Sequence, residues 1–409
     1  MAAPGRPFSF TAGLRALPAG IWALGFGSML MDISSELIHS LLPLFMVGVL
    51  GTSLVTVGIV EGVAEATAAF AKVFSGALSD YLGRRKRLMV FGYALAAFSK
   101  PLFPLATSVD WVFAARFADR VGKGIRGAPR DALVADIVPP RLRGAAYGLR
   151  QALDSLGAVI GPLLALLFMF WFANDIAAVM WVAVIPAFLT VALLLRYVRE
   201  PARVGAEEGA RPPLRLGDVR RLGGAYWRVV GIGAVFTLAR FSEAFLILRV
   251  EDVGVPLGLV PLALVVMNLF YALCAYPAGQ AADRLDARRL LLLSLLLLIL
   301  ADLLLAGAGS PWLAFAGAAL WGLHMAFSQG LLAKLVADSA PLALRGTAFG
   351  FFNLLSGLAL LAASLIAGAL WQQFGAAATF LAGAAFAVLA ALGLLGWRVP
   401  GGLGDGAGR

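Results

Sequence analysis

Three side chains near the start of the chain have types and spacing suited to binding a proton or a cation. Asp32, Glu36 and His39 follow one another at intervals of four and three residues, which places them within about 60° on one face of a helix. The stretch around them is apolar, and a charge inside a membrane costs about 2.5–3.5 kcal/mol on insertion scales. Such groups are therefore paired with an opposite charge, or they line a wet cavity.

A second group repeats this spacing with the opposite charge. Arg116, Arg120 and Lys123 also follow one another at intervals of four and three residues, so they share one helix face. Guanidinium groups suit bidentate contact with a carboxylate or a phosphate. These three residues, together with His39 and Arg240, are predicted to bind a small anionic or amphiphilic solute.

Three interpretations of these charges are open. In the first, acids and bases on neighbouring helices only neutralise one another as buried ion pairs. In the second, a buried carboxylate takes up a proton on one side of the membrane and releases it on the other, with Asp32, Glu36 and Glu243 as the coupling candidates. In the third, the cationic face forms the wall of a solute site.

A metal site is an alternative for the first group. Asp32, Glu36 and His39 share a face and could together ligate a divalent metal ion or a metal chelate. The one cysteine, Cys274, excludes both a cysteine metal cage and an intrachain disulfide. No H-E-x-x-H, G-x-S-x-G or nucleotide-binding loop occurs in the spans, so neither an enzyme nor a resident cofactor is expected.

The composition indicates that these residues lie on membrane-spanning helices. Hydrophobic residues make up 61% of the 409 residues and charged residues 14%, against roughly 25% charged in a soluble domain. A span needs about 20 residues, and division at Gly, Pro and charge clusters predicts an all-α membrane protein with twelve transmembrane helices. These spans, numbered 1 to 12, lie near 19–47, 54–78, 88–108, 110–137, 145–170, 175–197, 226–249, 257–280, 288–308, 311–338, 346–371 and 376–397.

One polar segment separates two sets of six spans. It is rich in Arg, Glu, Gly and Pro, a composition typical of a solvated linker. We therefore predict an N-terminal six-helix bundle at 1–198, a cytoplasmic linker at 199–225 and a C-terminal six-helix bundle at 226–409.

The distribution of basic residues predicts the orientation and the partners. The formal net charge is +10, and the basic loops follow even-numbered spans. By the positive-inside rule, both termini are cytoplasmic in a multi-pass protein of the plasma membrane, the inner membrane of a bacterium. Nucleic acid is not an expected partner, because the basic clusters are scattered over separate loops. The expected partners are a small solute, protons and membrane lipids, and the protein is expected to be a monomer.

The two halves of the chain carry matching segments. LVADIVPPRLRGAAYG, which begins at Leu133, aligns with LVADSAPLALRGTAFG, which begins at Leu335, and the match keeps Asp, Arg and Gly in place. GALSDYLGRRK (76–86) aligns in the same way with GQAADRLDARR (279–289). Two homologous units in parallel orientation form an architecture suited to alternating access around a midplane site.

The loop after span 2 resembles a known signature. GALSDYLGRRK is similar to the motif G-x-L-x-D-R-x-G-R-[RK] of the major facilitator superfamily of secondary transporters, with Tyr81 in place of the first Arg. The resemblance implies two pseudo-symmetric six-helix bundles and proton-coupled transport by alternating access. Since the Asp recurs in the second half of the chain, a gating motif is favoured over a simple positive-inside anchor. Its predicted members are Gly76, Asp80, Gly83, Arg84, Arg85 and Asp283.

Span 5 bears on the direction of transport. Gly157, Gly161 and Pro162 resemble the G-x-x-x-G-P motif associated with antiporter-type exporters, and the two glycines also suit close packing against a neighbouring helix. Ala165 and Leu166 stand where the motif has a further Gly-Gly, so both import and export are open. A lipid flippase or a non-transporting receptor with the same fold is the alternative from another class.

Overall fold

A computed structural model describes residues 17–82, 84–139, 142–200, 221–341 and 344–395. Within these ranges it is helical and contains no strand, and the helices are numbered α1 to α12 in chain order. They are α1 Ala19–Leu44, α2 Leu54–Leu82, α3 Arg85–Ser99, α4 Val109–Ile137, α5 Arg143–Trp171, α6 Ile176–Val182 continuing as Val184–Tyr197, α7 Gly224–Ala239 continuing as Ala244–Asp252, α8 Leu262–Arg284, α9 Ala287–Ala306, α10 Pro311–Ser339, α11 Arg345–Phe374 and α12 Ala376–Leu395.

Each predicted span corresponds to one helix, which confirms the all-α prediction. In the described part of the chain, nine helical stretches are long and apolar enough by themselves to cross a membrane. Helix α4 is not among them, because Arg116, Arg120 and Lys123 interrupt its apolar residues. Most of the predicted linker 199–225 lies outside the described residues.

Two spans differ in shape from the predictions. Helix α3 ends earlier than the predicted 88–108, because Pro101 follows it and only a short 3₁₀ turn, Lys100–Leu102, continues the chain. Span 7 was expected to be one continuous helix, but α7 is interrupted between Ala239 and Ala244.

Side-chain hydroxyl groups account for the interruption of α7. The Ser242 N–H donates to Ser364 Oγ at 3.3 Å, and the Ala244 N–H donates to Ser242 Oγ at 3.2 Å. These bonds replace the helical bonds of the same N–H groups, so the backbone leaves the helical path without stranding its donors. The segment 240–243, called the α7 break below, carries both Arg240 and Glu243.

The same packing pattern recurs in both halves of the chain. In the first half α1 packs on α5 and α6, α2 on α4, and α3 on α4 and α6. In the second half α7 packs on α11 and α12, α8 on α10, and α9 on α10 and α12. Adding six to each helix number converts the first set of contacts into the second, so the two halves are pseudo-symmetric six-helix bundles.

Glycines allow the close approach of α5 to α1. A Cβ atom on Gly157 would lie 2.7 Å from the Met29 carbonyl oxygen, and one on Gly161 would lie 2.8 Å from the Ile33 carbonyl oxygen. Helices that approach this closely leave no room for a methyl group between them. The packing interpretation of Gly157 and Gly161 is therefore confirmed.

The two bundles meet along α2 and α11, along α5 and α8, and where α1 meets the second segment of α7. At one point of this interface a Cβ atom on Gly368 of α11 would lie 2.6 Å from the Leu54 carbonyl oxygen of α2. At another, Asn268 Nδ2 of α8 donates to the Ala158 carbonyl oxygen of α5 at 3.1 Å. The bundles thus pack directly at the ends of α1 and α7 that face away from the predicted linker.

Candidate functional site

Three adjoining cavities, with volumes of about 350, 250 and 260 Å³, run from the first bundle, across the space between the bundles, into the second bundle. Glu36, Glu65 and Lys123 line both the first and the second cavity, and Arg240 and Gln329 line both the second and the third. These shared walls make a continuous polar region from the first bundle to the second. The first cavity reaches Lys72 and Asp131, near the ends of α2 and α4 that precede the basic loops.

The predicted acidic group lies at this polar region. Asp32 and Glu36 line the first cavity, while Glu36 and His39 line the second. His39 Nδ1 is 3.5 Å from Glu36 Oε2, and His39 Nε2 is 3.8 Å from Glu61 Oε2. His39 therefore connects a carboxylate of the cavity wall with a carboxylate of the bundle interior.

The predicted cationic group divides between the bundle interior and the cavity. Arg116 Nη2 lies 2.7 Å from Glu61 Oε2, and both residues are 1% exposed. Arg116 is not part of the lining of the three cavities. In this conformation it balances a buried carboxylate, and its predicted contact with solute has no support in the geometry.

Arg120 and Lys123 stand closer to the solute space. Arg120 Nη1 is 3.2 Å from Glu65 Oε1, and its side chain reaches the second cavity from a buried position. Lys123 is exposed to the first and second cavities and has no ion pair within 4 Å among the described residues. Of the three bases, Lys123 is therefore the one whose charge is available to a solute.

Further ion pairs hold the first bundle together. Lys100 Nζ lies 2.8 Å from Asp119 Oδ1 and 3.0 Å from Ser35 Oγ, and all three groups are buried. Arg126 stacks over the Tyr93 ring at 4.7 Å from its centroid, and its Nη2 is 4.0 Å from Asp32 Oδ1. The pair of Asp119 with Lys100 fits the interpretation in which buried charges only neutralise one another, whereas Arg126 also contacts a proton-coupling candidate.

A second charged network borders the first cavity nearer the basic loops. Arg130 donates to Ser28 Oγ at 2.6 Å and to Asp131 at 3.1 Å. Arg150 Nη1 lies 2.8 Å from Asp154 Oδ2, one helical turn along α5. The sequence showed these residues to be charged, but which base pairs with which acid depends on how the helices are rotated.

The α7 break brings charge from the second bundle to the second cavity. Arg240 and Glu243 both line this cavity, opposite Glu36 and Lys123. Neither has an ion pair within 4 Å among the described residues. Because the backbone at 240–243 is not helical, these side chains leave α7 in directions that a continuous helix would not allow.

The third cavity supplies an aromatic and weakly polar wall. Phe236, Phe352 and His324 line it, and the His324 ring stacks on Phe236 with centroids 6.3 Å apart. His324 Nδ1 lies 2.8 Å from the Ser294 carbonyl oxygen. A carbonyl can only accept, so Nδ1 carries a hydrogen and Nε2 of the neutral ring is left as an acceptor. Phe236 and His324 thus pack against each other while also facing the cavity.

The predicted gating motif is only partly described. Gly83 and the side chains of Asp80 and Asp283 lie outside the described residues. Arg85 Nη1, at the start of α3, donates to Asp136 Oδ2 at 2.8 Å, at the end of α4. Arg84 immediately precedes α3 and is exposed, and Gly76 lies within α2. The bond from Arg85 to Asp136 joins two segments that recur in the internal repeat, residues 76–86 and the segment that begins at Leu133.

Comparison with known proteins agrees with this architecture. The sequence profile of the Major Facilitator Superfamily matches residues 24–250 and 237–405. An uncharacterized MFS-type transporter of Methanocaldococcus jannaschii is 33% identical over 389 residues, which cover 93% of this chain and 95% of that protein. The multidrug resistance protein MdtH of Salmonella arizonae is 29% identical over 191 residues, 46% of this chain and 47% of that protein.

A solved structure extends the likeness to three dimensions. A crystal structure of a mutant of the nucleoside transporter NupG superposes with a TM-score of 0.75, covering 92% of this chain and 99% of that one. The two sequences are 15% identical, so this likeness concerns the fold alone.

Proposed function

This chain belongs to the major facilitator superfamily of multi-pass membrane transporters, and we propose that it moves a small anionic or amphiphilic solute by proton-coupled alternating access. One observation carries the proposal. Lys123 of the first bundle and Arg240 of the second line the same cavity of about 250 Å³, and neither has an ion pair within 4 Å among the described residues. Two unpaired cations on opposite sides of one cavity suit a carboxylate or phosphate group.

The adjoining third cavity supports an amphiphilic solute. Phe236, Phe352 and Leu332 offer apolar contact area, while Ser328 and Gln329 offer hydrogen bonds. Ligand sites commonly combine apolar walls with a few fixed polar groups of this kind. A solute with an anionic group between Lys123 and Arg240 and a ring beside Phe352 would use both cavities.

Three carboxylates are the candidates for coupling protons to this solute. Glu36 and Glu243 line the same cavity as the two free cations, and Asp32 lies in the adjoining one. An ionised Glu36 or Glu243 competes with the solute for Lys123 and Arg240, whereas a protonated one does not. Proton binding to these residues would therefore change the affinity of the site for an anion.

The relatives and the charge distribution support a proposal for direction and location. The likeness to a multidrug resistance protein supports export, and it covers 46% of the chain. The basic loops support a plasma-membrane protein with both termini in the cytoplasm. In that orientation Lys72 and Asp131 of the first cavity lie towards the cytoplasm, the side from which an exporter loads its solute. The transport unit is proposed to be a monomer surrounded by lipid.

The metal alternative has less support. His39 approaches Glu36 and Glu61, while Asp32 approaches Arg126. Among the described residues no group of three His, Cys, Asp or Glu side chains is arranged to hold a metal ion. Asp32 is thus directed to Arg126 and away from the pair of Glu36 and His39, an arrangement that suits ion-pair exchange better than metal binding.

Transport by purified protein in liposomes tests the proposal. With an imposed pH gradient, a panel of organic anions and amphiphilic drugs should include a solute whose flux depends on the gradient. Replacing Lys123 or Arg240 by Gln should reduce that flux at least tenfold, because each change removes a cation from the cavity. The matched control is Arg228→Gln, an exposed arginine at the start of α7, which should transport normally. Equal flux in all three variants would contradict the proposed solute site.

A further inference from the structure

Asp302 is a buried acid that the proposed transport site does not use. It lies in α9, and its exposed fraction is 0%. Neither carboxyl oxygen has a hydrogen-bond partner among the described residues. A carboxylate held in this way has lost its water without gaining a cation or a donor, which is among the least favourable states for a charged side chain.

The carboxyl group lies between α12 and the end of the first segment of α7. A Cβ atom on Gly383 would lie 2.6 Å from Asp302 Oδ2, 3.1 Å from the Phe241 ring and 3.3 Å from the Ala239 carbonyl oxygen. The rings of Phe380 and Trp321 pack on Phe241 at centroid distances of 5.4 and 5.3 Å. The surroundings are thus a cluster of rings and one carbonyl oxygen, with the space kept open by a glycine.

The nearby α7 break presents carbonyl groups that have lost their helical donors. The Arg240 N–H donates to the Thr237 carbonyl oxygen at 3.1 Å, and the Ser242 N–H donates to Ser364 Oγ. In a continuous helix these two N–H groups would bond to the carbonyls of Phe236 and Leu238. The end of the segment therefore carries partial negative charge, which repels a carboxylate but accepts a hydrogen bond from a carboxylic acid.

The charged groups on the surrounding helices are engaged elsewhere. Arg249 of α7 donates to the Leu305 carbonyl oxygen and pairs with Asp252. His324 of α10 bonds to Ser294 of α9, and α12 carries no titratable residue between Ala376 and Leu395. The side chain of Arg240, in the break itself, lines the second and third cavities.

We propose that Asp302 is a proton-binding site of the second bundle, and that its proton keeps the α7 break in the arrangement that presents Arg240 to the cavity. The protonated acid is neutral and can donate towards the carbonyl end of the first segment of α7. When the proton leaves, the buried negative charge favours a rearranged break in which Arg240 turns from the cavity towards Asp302. Proton binding at Asp302 and anion binding at Arg240 therefore strengthen each other, as linkage requires. The linkage between Asp302 and anion binding rests on the proposed function, whereas the proton-binding site itself does not.

Infrared spectroscopy tests whether Asp302 holds a proton, and it needs no solute. In lipid nanodiscs the protein should show a carboxylic acid C=O band that shifts in D₂O and is missing from Asp302→Asn. Asp252→Asn, at the exposed end of α7, is the control and should keep the band. If Asp302→Asn does not fold, Gly383→Ala serves instead, because its methyl group would press on Oδ2 and shift the band. A spectrum identical in wild type, Asp302→Asn and Gly383→Ala overturns the proposal.

A sodium ion is the competing occupant, and thermal unfolding distinguishes it from a proton. Unfolding is measured in NaCl and in choline chloride at equal ionic strength. With a proton at Asp302, the two salts should give the same melting temperature. Stabilisation by sodium that disappears in Asp302→Asn would overturn the proton assignment in favour of a cation site.

The linkage is tested by the pH dependence of anion binding. Wild-type affinity for the transported anion should fall as the pH rises. In Asp302→Asn the fall should be less steep, because residue 302 is then always neutral and only Glu36 and Glu243 of the cavity still titrate. An equally steep fall in Asp302→Asn would overturn the linkage. Failure of the proposed function is recognised separately: Arg240→Gln would then bind the anion as wild type does, while the infrared result would be unaffected.

Discussion

At the scale of single residues, the charges of the first bundle divide into paired and available groups. Glu61 with Arg116, and Asp119 with Lys100, are buried ion pairs within the bundle. Lys123, in contrast, faces the cavity without a partner within 4 Å among the described residues. The buried ion pairs fix the positions of the helices relative to one another. A charge without such a partner, like that of Lys123, can respond to a proton or a solute.

Breaking the buried pair of Lys100 and Asp119 is expected to destabilise the protein. Asp119→Asn leaves a buried ammonium group without its counter-ion and is expected to cost about 3–5 kcal/mol, while the double change Lys100→Met with Asp119→Leu removes both charges and should recover most of that loss. Thermal unfolding in detergent measures both variants. A double variant as unstable as the single one would mean that packing, and not charge balance, determines the effect.

Replacement of Glu36 is expected to uncouple solute transport from the proton gradient. Glu36→Gln removes a titrating group from the cavity wall, so gradient-driven flux should fall to the level seen without a gradient. Exchange of labelled for unlabelled solute at equal pH should continue, because Lys123 and Arg240 are intact. The two assays are run on the same proteoliposomes. Unchanged gradient-driven flux would remove Glu36 from the coupling role.

At the scale of helices, close approach depends on glycine. Helix α5 lies against α1 because Gly157 and Gly161 leave room for the α1 backbone. This contact also sets the positions of Asp32 and Glu36 relative to the cavity, since both residues lie on α1. A change in helix spacing should therefore alter stability and transport together.

Two glycines of α5 make a matched pair of variants. In Gly161→Ala the methyl carbon would lie 2.8 Å from both Glu36 Cβ and the Ile33 carbonyl oxygen, and overpacking of this kind costs about 1–3 kcal/mol. Gly148→Ala is the control, because nothing lies within 4 Å of the added carbon. Thermal unfolding of the two proteins should show a lower melting temperature only for Gly161→Ala.

At the scale of the whole molecule, the bundles pack directly where Leu54 of α2 meets Gly368 of α11, and the first cavity lies nearer the ends of α2 and α4 that precede the basic loops. Helices α2 and α11 also touch further along, where a Cβ atom on Gly350 would lie 3.3 Å from Val73 Cγ1. Alternating access, typical of this family, requires a solute path on both sides of the cavities. We therefore expect the contact at Leu54 and Gly368 to separate in each transport cycle.

A reversible crosslink tests this requirement. The Val55 N–H of α2 donates to Gln372 Oε1 of α11 at 3.4 Å, so cysteines introduced as Val55→Cys and Gln372→Cys lie within reach of a short, reducible bifunctional thiol reagent. Cys274→Ser removes the one native cysteine. Crosslinking should stop transport and reduction should restore it, while Val55→Cys alone should be insensitive. Transport that continues through the crosslinked protein would show that this end does not open.

The sequence by itself determined the class of protein and its helices. Apolar stretches of about 20 residues predict spans because hydropathy is a local property of the chain. The repeat between the segments at Leu133 and Leu335 predicted two related halves, and the packing pattern confirms them. The sequence also showed that charges such as Asp32 and Arg120 lie inside spans, which led to the prediction of a polar site between helices.

Only the tertiary structure decided which charges are available. The spacing of Arg116 and Lys123 places both on the same face of α4. In the structure, however, Arg116 is paired with Glu61 and Lys123 faces a cavity. The difference depends on the rotation of α4 against α2, which residue spacing along one helix does not determine. The α7 break likewise depends on a hydroxyl of α11, Ser364, that replaces a helical bond. Such contacts between residues distant in sequence arise only when the helices pack.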